Sequence, residues 1–212
     1  MMHAHSQTSG IVIHRSRLYD LAGGRFIRTT DAEILSRAGV APGDDLLDVG
    51  TGPGYLALAA SKLVAPGGTA IGIDASPEMI DRARMRAERA HSEAEYRVAT
   101  AESLPFDDDA FDVVVSRLVF HHLPGDVKTQ ALGEVARVLR PGGRLLIVDL
   151  ASRTAQGAHH IVAHVLGTQP DTGADLTALI HGAGFTQLTT GKLKHGMLAG
   201  VAAVNPERSA QE

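Results

Sequence analysis

The chain has 212 residues, 44% hydrophobic and 21% charged, with a formal net charge of −4; that is enough for one well-packed core, and it carries no positive field toward nucleic acid or an anionic membrane. Cysteine is absent, which excludes a disulfide framework, a thiolate metal site and a cysteine nucleophile and fits the cytoplasm. No apolar run approaches the ~20 residues of a transmembrane helix. The opening MMHAHSQTSG lacks the basic and apolar regions of a signal peptide, so none is expected.

In chain order, Met1 to Gly10 is polar, and RSRLYDLAGGRF reads as a helical piece broken by Gly23 and Gly24. TTDAEILSRAG has the spacing of a capping box, Thr30 with Glu33, and Gly39 as a stop. PGDDLLDVG is a turn feeding a buried strand, and Tyr55 to Leu63 a helix closed by APGG. TAIGID is a second strand. In SPEMIDRARMRAERA, Ser76 is the expected N-cap and Pro77 the first helical residue. AEYRVA and FDVVVS are the third and fourth strands. VKTQALGEVARVL is a helix with Leu132, Val135 and Leu139 on one face, stopped by PGG, and RLLIVDL is a fifth strand. ADLTALIHGAGF is a helix closed by Gly182 and Gly184, and TQLTTGKLKH with GMLAGVAAV a final antiparallel pair.

Continuous apolar strands alternating with helices predict an open, mostly parallel, Rossmann-like α/β sheet with helices on both faces and a C-terminal antiparallel hairpin. The expected division is a helical lid segment over 1–40, a core over 41–205 and a flexible tail over 206–212. Ligands in such sheets bind beyond the carboxyl ends of the strands. Here those ends fall at Gly50, Asp74, Ala99 to Glu102 and Ser116 to His122.

The loop LLDVGTGPGYLALAA places Gly50, Gly52 and Gly54 between a strand and a helix. A dinucleotide fingerprint needs G-x-G-x-x-G, but the position of its third glycine holds Tyr55, and the pattern is G-x-G-x-G with Asp48 just ahead. That spacing disfavours an NAD-dependent dehydrogenase. Asp74 ends the second strand, where a carboxylate either accepts the hydroxyls of a ribose or caps the next helix.

LDVGTGPG, GIDASPEM, AESLPFDDDAFDVVVS and VLRPGGRLLIVDL together resemble the successive motifs of class I S-adenosylmethionine-dependent methyltransferases, in the branch acting mostly on small molecules. The resemblance covers roughly Asp44 to Leu150. It implies S-adenosylmethionine as cofactor. Gly50, Thr51 and Gly52 would touch its methionine part, with Asp48 orienting the loop or meeting the ammonium through water. Asp74 would hold the ribose, with Ala75 and Met79 beside it, and Ala101 would meet the adenine, flanked by Thr100 and Glu102. The family often has Asp at the position of Thr100, and a neutral hydroxyl there makes the weaker contact. Ser116 or Arg117 would offer a carbonyl to the ammonium. A Tyr-Asp pair like the one at Tyr19 often sits in a lid over the cofactor, though Tyr19 reads equally well as a buried anchor.

His121 and His122, beyond the fourth strand, are candidates for a general base, or they simply position their loop. His160 and His164 share a helix face, but Ile161 stands where a metalloprotease helix needs Glu, so no metal site is expected. The predicted activity is in-line transfer of a methyl group to a small-molecule acceptor, without nucleic acid or a membrane span. The oligomeric state is left open. Cysteine-dependent arsenite methylation is disfavoured, and the basic surface and Asn-Pro-Pro-aromatic motif of nucleic-acid methyltransferases are missing. A non-catalytic cofactor-binding module is the remaining alternative.

Overall fold

The computed structural model describes residues 29–151, 173–194 and 196–206. Tyr19, His160, His164 and the tail beyond Pro206 lie outside them. The elements are α1 (Asp31–Arg37), β1 (Leu46–Val49), α2 (Tyr55–Val64), β2 (Ala70–Asp74), α3 (Pro77–Arg89), β3 (Glu95–Val98), β4 (Phe111–Arg117), a 3-10 turn (Phe120–His122), α4 (Gly125–Val138), β5 (Leu139–Leu150), α5 (Gly173–Gly182), β6 (Thr186–Lys192) and β7 (Leu198–Val204).

The strands form one seven-stranded sheet in the order β3-β2-β1-β4-β5-β7-β6. β1 pairs in parallel with β2 and β4, β2 with β3, and β4 with β5, while β7 runs antiparallel to both β5 and β6. The predicted mixed sheet with its C-terminal hairpin is therefore present, but the hairpin joins through its second strand. The strand order reverses between β1 and β4, and the crevice at such a reversal is where open sheets hold ligands.

Period-two alternation sorts the central strands between two faces. Val114, Leu145 and Ile147 pack with Leu132 and Val135 of α4 and Ile180 of α5. Val113, Val115, Leu146 and Val148 face Ile34 and Leu35 of α1 and Leu56, Ala60 and Val64 of α2. Ile80, Ala83 and Ala87 of α3 pack with Ala57 of α2 and Tyr96 of β3. The central strands are covered on both sides, which is why they read as unbroken apolar runs.

Two local expectations are corrected. The capping box at α1 does not form: Thr30 makes no side-chain cap bond. Glu33 instead accepts Arg37 at 2.8 Å and the Lys194 N–H at 3.1 Å, so a long-range partner outcompetes the local one. The PGG segment does not separate α4 from the fifth strand. α4 ends at Val138 and β5 begins at Leu139, running through Pro141 to Gly143. Leu139 is thus the C-cap rather than a face of the helix. Asn205 closes the junction, donating to the carbonyls of Ala136 at 3.1 Å and Leu139 at 2.8 Å. Among the described residues no helix is long and apolar enough to cross a membrane.

Candidate active site

The glycine loop begins where β1 ends. Thr51 donates its backbone N–H to the Ile73 carbonyl at 2.8 Å and its hydroxyl to Asp48 Oδ2 at 2.6 Å. Each glycine answers a different constraint. Gly50 has φ +73°, and a methyl built on it would overlap Val119; Gly54 has φ +83°, with Ala83 and Tyr96 filling the space of a Cβ. Gly52 has φ +54°, and nothing lies within 4 Å of where its Cβ would stand. At Gly50 and Gly54 glycine admits neighbouring side chains, whereas at Gly52 it keeps a cradle open.

Asp74 fixes the turn from the next strand. Its Oδ2 accepts the Gly52 N–H at 2.9 Å and its Oδ1 the Ser76 N–H at 2.9 Å. Burial holds its carboxyl above the usual value, against these two N–H groups. The N-cap of α3 is Ser76, whose hydroxyl accepts the Met79 N–H at 3.4 Å. Asp74 is thus not the helix cap; it brings the glycine loop and the start of α3 together. Ala75 beside it is exposed and Met79 buried. The Ala99 N–H reaches the Asp74 carbonyl at 3.1 Å, which carries the chain toward the buried Ala101 and the half-buried Glu102. Thr100 bridges to Ser103 across this turn.

Asp48 is 1% exposed. Burial pushes its carboxyl up to about 6, against the Thr51 hydroxyl and the Arg117 charge. Ser116 is buried and donates to the Val49 carbonyl at 2.9 Å. The Arg117 guanidinium pairs with Asp31 of α1, so its side chain ties α1 to the end of β4.

Leu118 turns with φ +59° into the 3-10 turn that carries both histidines. Asp149, at the end of β5, accepts the His121 backbone N–H at 2.9 Å and meets His121 Nδ1 at 2.5 Å. The His122 ring lies 3.8 Å from that of His121. Burial, then the His121 charge, pushes His122 down to about 4, and its buried Nδ1 has no partner among the described residues.

Contacts therefore join Gly50 and Gly52 with Val119 and Asp74, Thr51 with Asp48, and β1 with Ser116. Asp149 and Tyr96 were missed from sequence. Asp149 obeys the same end-of-strand rule that selected Asp74, applied one strand further. Tyr96, whose hydroxyl donates to the Gly54 carbonyl at 2.8 Å, carries no sequence signal beyond its apolar strand.

A methyltransferase-domain family model matches residues 47–147. YcgJ of Bacillus subtilis, an uncharacterized methyltransferase, is 45% identical over 105 residues, covering 49% of this chain and 40% of that protein. The demethylmenaquinone methyltransferase of Thermus thermophilus is 42% identical over 104 residues, covering 49% and 46%. The chain thus spans less than half the length of these two relatives. A crystal structure of an S-adenosylmethionine-dependent methyltransferase from Aquifex aeolicus superposes with a TM-score of 0.74 at 21% identity, covering 89% of this chain and 96% of that one. The order of the strands, the open glycine turn closed by Asp74 and the match over residues 47–147 converge: this part of the chain is similar to a methyltransferase domain, and the fold is that of a solved S-adenosylmethionine-dependent methyltransferase.

Proposed function

We propose that the protein binds S-adenosylmethionine and transfers its methyl group to a small-molecule acceptor in the cytoplasm. The observation that carries this reading is the open cradle at Gly52, beside a carboxylate that both forms the turn and keeps acceptor capacity. Each Asp74 oxygen takes one backbone N–H. A carboxylate offers about four lone-pair sites, so two remain for ribose hydroxyls. The residues present fit the group.

In this assignment the main chain of Gly50, Thr51 and Gly52 lies against the methionine portion, and buried Asp48 supplies negative charge near its ammonium. Asp74 holds the ribose, flanked by Ala75 and Met79. Thr100, Ala101 and Glu102 border the adenine, and Ser116 and Arg117 contribute main-chain carbonyls at the β4 end. The bound cofactor supplies a methyl group already activated on a sulfonium. What remains for the chain is to align acceptor, methyl carbon and sulfur and to exclude water. A net charge of −4 supports an acceptor other than nucleic acid, and one relative is named for a small molecule, demethylmenaquinone.

Calorimetry with S-adenosylmethionine, S-adenosylhomocysteine and NAD tests the binding half. Both sulfur compounds should bind and NAD should not. A small-molecule screen with isotope-labelled methyl donor, read by mass, tests transfer. Binding without turnover on any acceptor would favour the non-catalytic module.

A further inference from the structure

We propose that His121 takes the proton of an acceptor hydroxyl on its Nε2, and that Asp149 is the positioning residue that reserves Nε2 for this task; the proposal rests on the methyl-transfer reading above.

Asp149 is 9% exposed and touches His121 at two points. Its Oδ2 accepts the His121 backbone N–H at 2.9 Å; its Oδ1 meets Nδ1 at 2.5 Å and also accepts the Leu150 N–H at 2.9 Å. A carboxylate only accepts hydrogen bonds. Nδ1 must therefore carry the hydrogen, and in the neutral ring the lone pair lies on Nε2. The same carboxylate holds main chain and ring, so the imidazole is fixed in tautomer and in rotation. When Nε2 gains a proton, Asp149 faces the new positive charge and stabilises it.

His122 has no such support. Its Nδ1 is buried and has no hydrogen-bond partner among the described residues, and burial above all keeps its ring neutral, pushed down to about 4. Asp149 acts on His122 only through its charge, and burial outweighs it there, whereas His121 is hydrogen-bonded to the carboxylate directly. The turn also stands at the glycine loop, because Val119 occupies the space over Gly50.

A base so arranged selects the acceptor. A neutral amine attacks with a free lone pair and sheds its proton afterwards, whereas a hydroxyl oxygen becomes a competent nucleophile as its proton leaves. In the step, the acceptor O–H bond breaks and its proton passes to Nε2. The oxygen bonds to the methyl carbon as the methyl–sulfur bond breaks, with that electron pair staying on sulfur. The products are a methyl ether, the neutral thioether and an imidazolium, which returns its proton to water.

The test begins with ring-15N-labelled histidine in the cofactor-free protein, read by NMR. His121 should show protonated Nδ1 and unprotonated Nε2. Asp149→Asn preserves shape and should change the tautomer population, while Asp149→Glu should restore it in part. With the acceptor from the screen, His121→Ala and Asp149→Asn should lower kcat by about 100-fold or more while leaving S-adenosylhomocysteine affinity, by calorimetry, within about 2-fold of wild type. The product should be an O-methyl ether by mass and NMR. An Nε2–H tautomer, a His121→Ala enzyme with undiminished kcat, or an N- or S-methylated product would each overturn the proposal. Failure to bind S-adenosylhomocysteine, with the Nδ1–H tautomer present, would instead overturn the methyl-transfer reading.

Discussion

Gly52 donates its backbone N–H to Asp74 Oδ2 at 2.9 Å, so the side chain that ends β2 shapes the turn that follows β1. Asp74→Ala should therefore lose two functions at once. Affinity for S-adenosylhomocysteine should fall by roughly 1–3 kcal/mol as charge-assisted hydrogen bonds are lost. Scanning calorimetry should also show a lower Tm without ligand, because the Gly52 and Ser76 N–H groups lose their acceptor. Wild-type affinity with a lowered Tm would make Asp74 a turn-former alone.

The glycines of the loop should separate stability from binding. Gly50→Ala combines a left-handed φ of +73° with overlap on Val119 and should destabilise the fold by more than the roughly 1–2 kcal/mol of the backbone term. Gly52→Ala meets no neighbour within 4 Å, so its stability loss should stay near that backbone term. Its methyl group nevertheless projects into the cradle, and cofactor affinity should drop about 10-fold or more. Denaturant unfolding and calorimetry on the two variants check the contrast.

Opposite pH slopes are expected from two buried groups. Asp48 is pushed up from 3.8 to about 6, mainly by burial. The folded chain then holds this proton more tightly than the unfolded chain, so Asp48's contribution falls as pH rises from about 4 to about 6, by roughly 3 kcal/mol in all. His122 is pushed down from 6.5 to about 4, by burial first and then by His121. There the unfolded chain binds the proton more tightly, and stability rises with pH from about 4 to about 6.5. Relative to wild type, Asp48→Asn should therefore gain stability progressively up to about pH 6. His122→Gln should lose it over the same range. Urea unfolding across pH 4–7 on the three proteins measures both difference curves.

Arg137 pins the segment that follows Ala101. It donates to the carbonyls of Leu104 at 3.0 Å and Phe106 at 2.8 Å and pairs with Glu134 at 2.7 Å, while Glu134 accepts the Leu104 N–H at 2.8 Å. Arg137→Ala should speed amide exchange at Leu104 and Phe106 and weaken cofactor binding through the loosened turn. Exchange protection equal to wild type would show that the turn holds without this clamp.

The ends of β1 and β2 were readable because an acidic residue stands there at a change of hydrophobic period, with a run of glycines following β1; Gly50 to Gly54 and Asp74 carry that signal. The fold class was readable for the same reason. What the sequence hid were pairings set by tertiary contact. Glu33 has the local spacing of a capping residue, yet its carboxylate accepts the Lys194 N–H, 161 residues away. Pro141 to Gly143 carry a turn signal, yet the pairing of β5 with β4 and β7 absorbs them into a strand. His121 and His122 are adjacent and chemically identical, and only Asp149, 28 residues from His121, distinguishes them.

The order of the strands also governs how separate molecules meet. Among the described residues the sheet is bordered by β3 and β6, and each is a poor template for a further strand. β3 is four residues long and carries the Glu95–Arg97 pair at 3.0 Å on its exposed positions. β6 is mostly threonine, glutamine and lysine, exposed at most positions, with a break in register between Thr186 and Thr189. Short, charged or irregular borders discourage strand addition between chains. The apolar β7, left on the outside, would have offered Leu198 to Val204 as an aggregation seed; lodged between β5 and β6, it has both of its hydrogen-bonding edges engaged. Val201→Pro should break that protection from within, and light scattering during refolding should rise above that of the wild type.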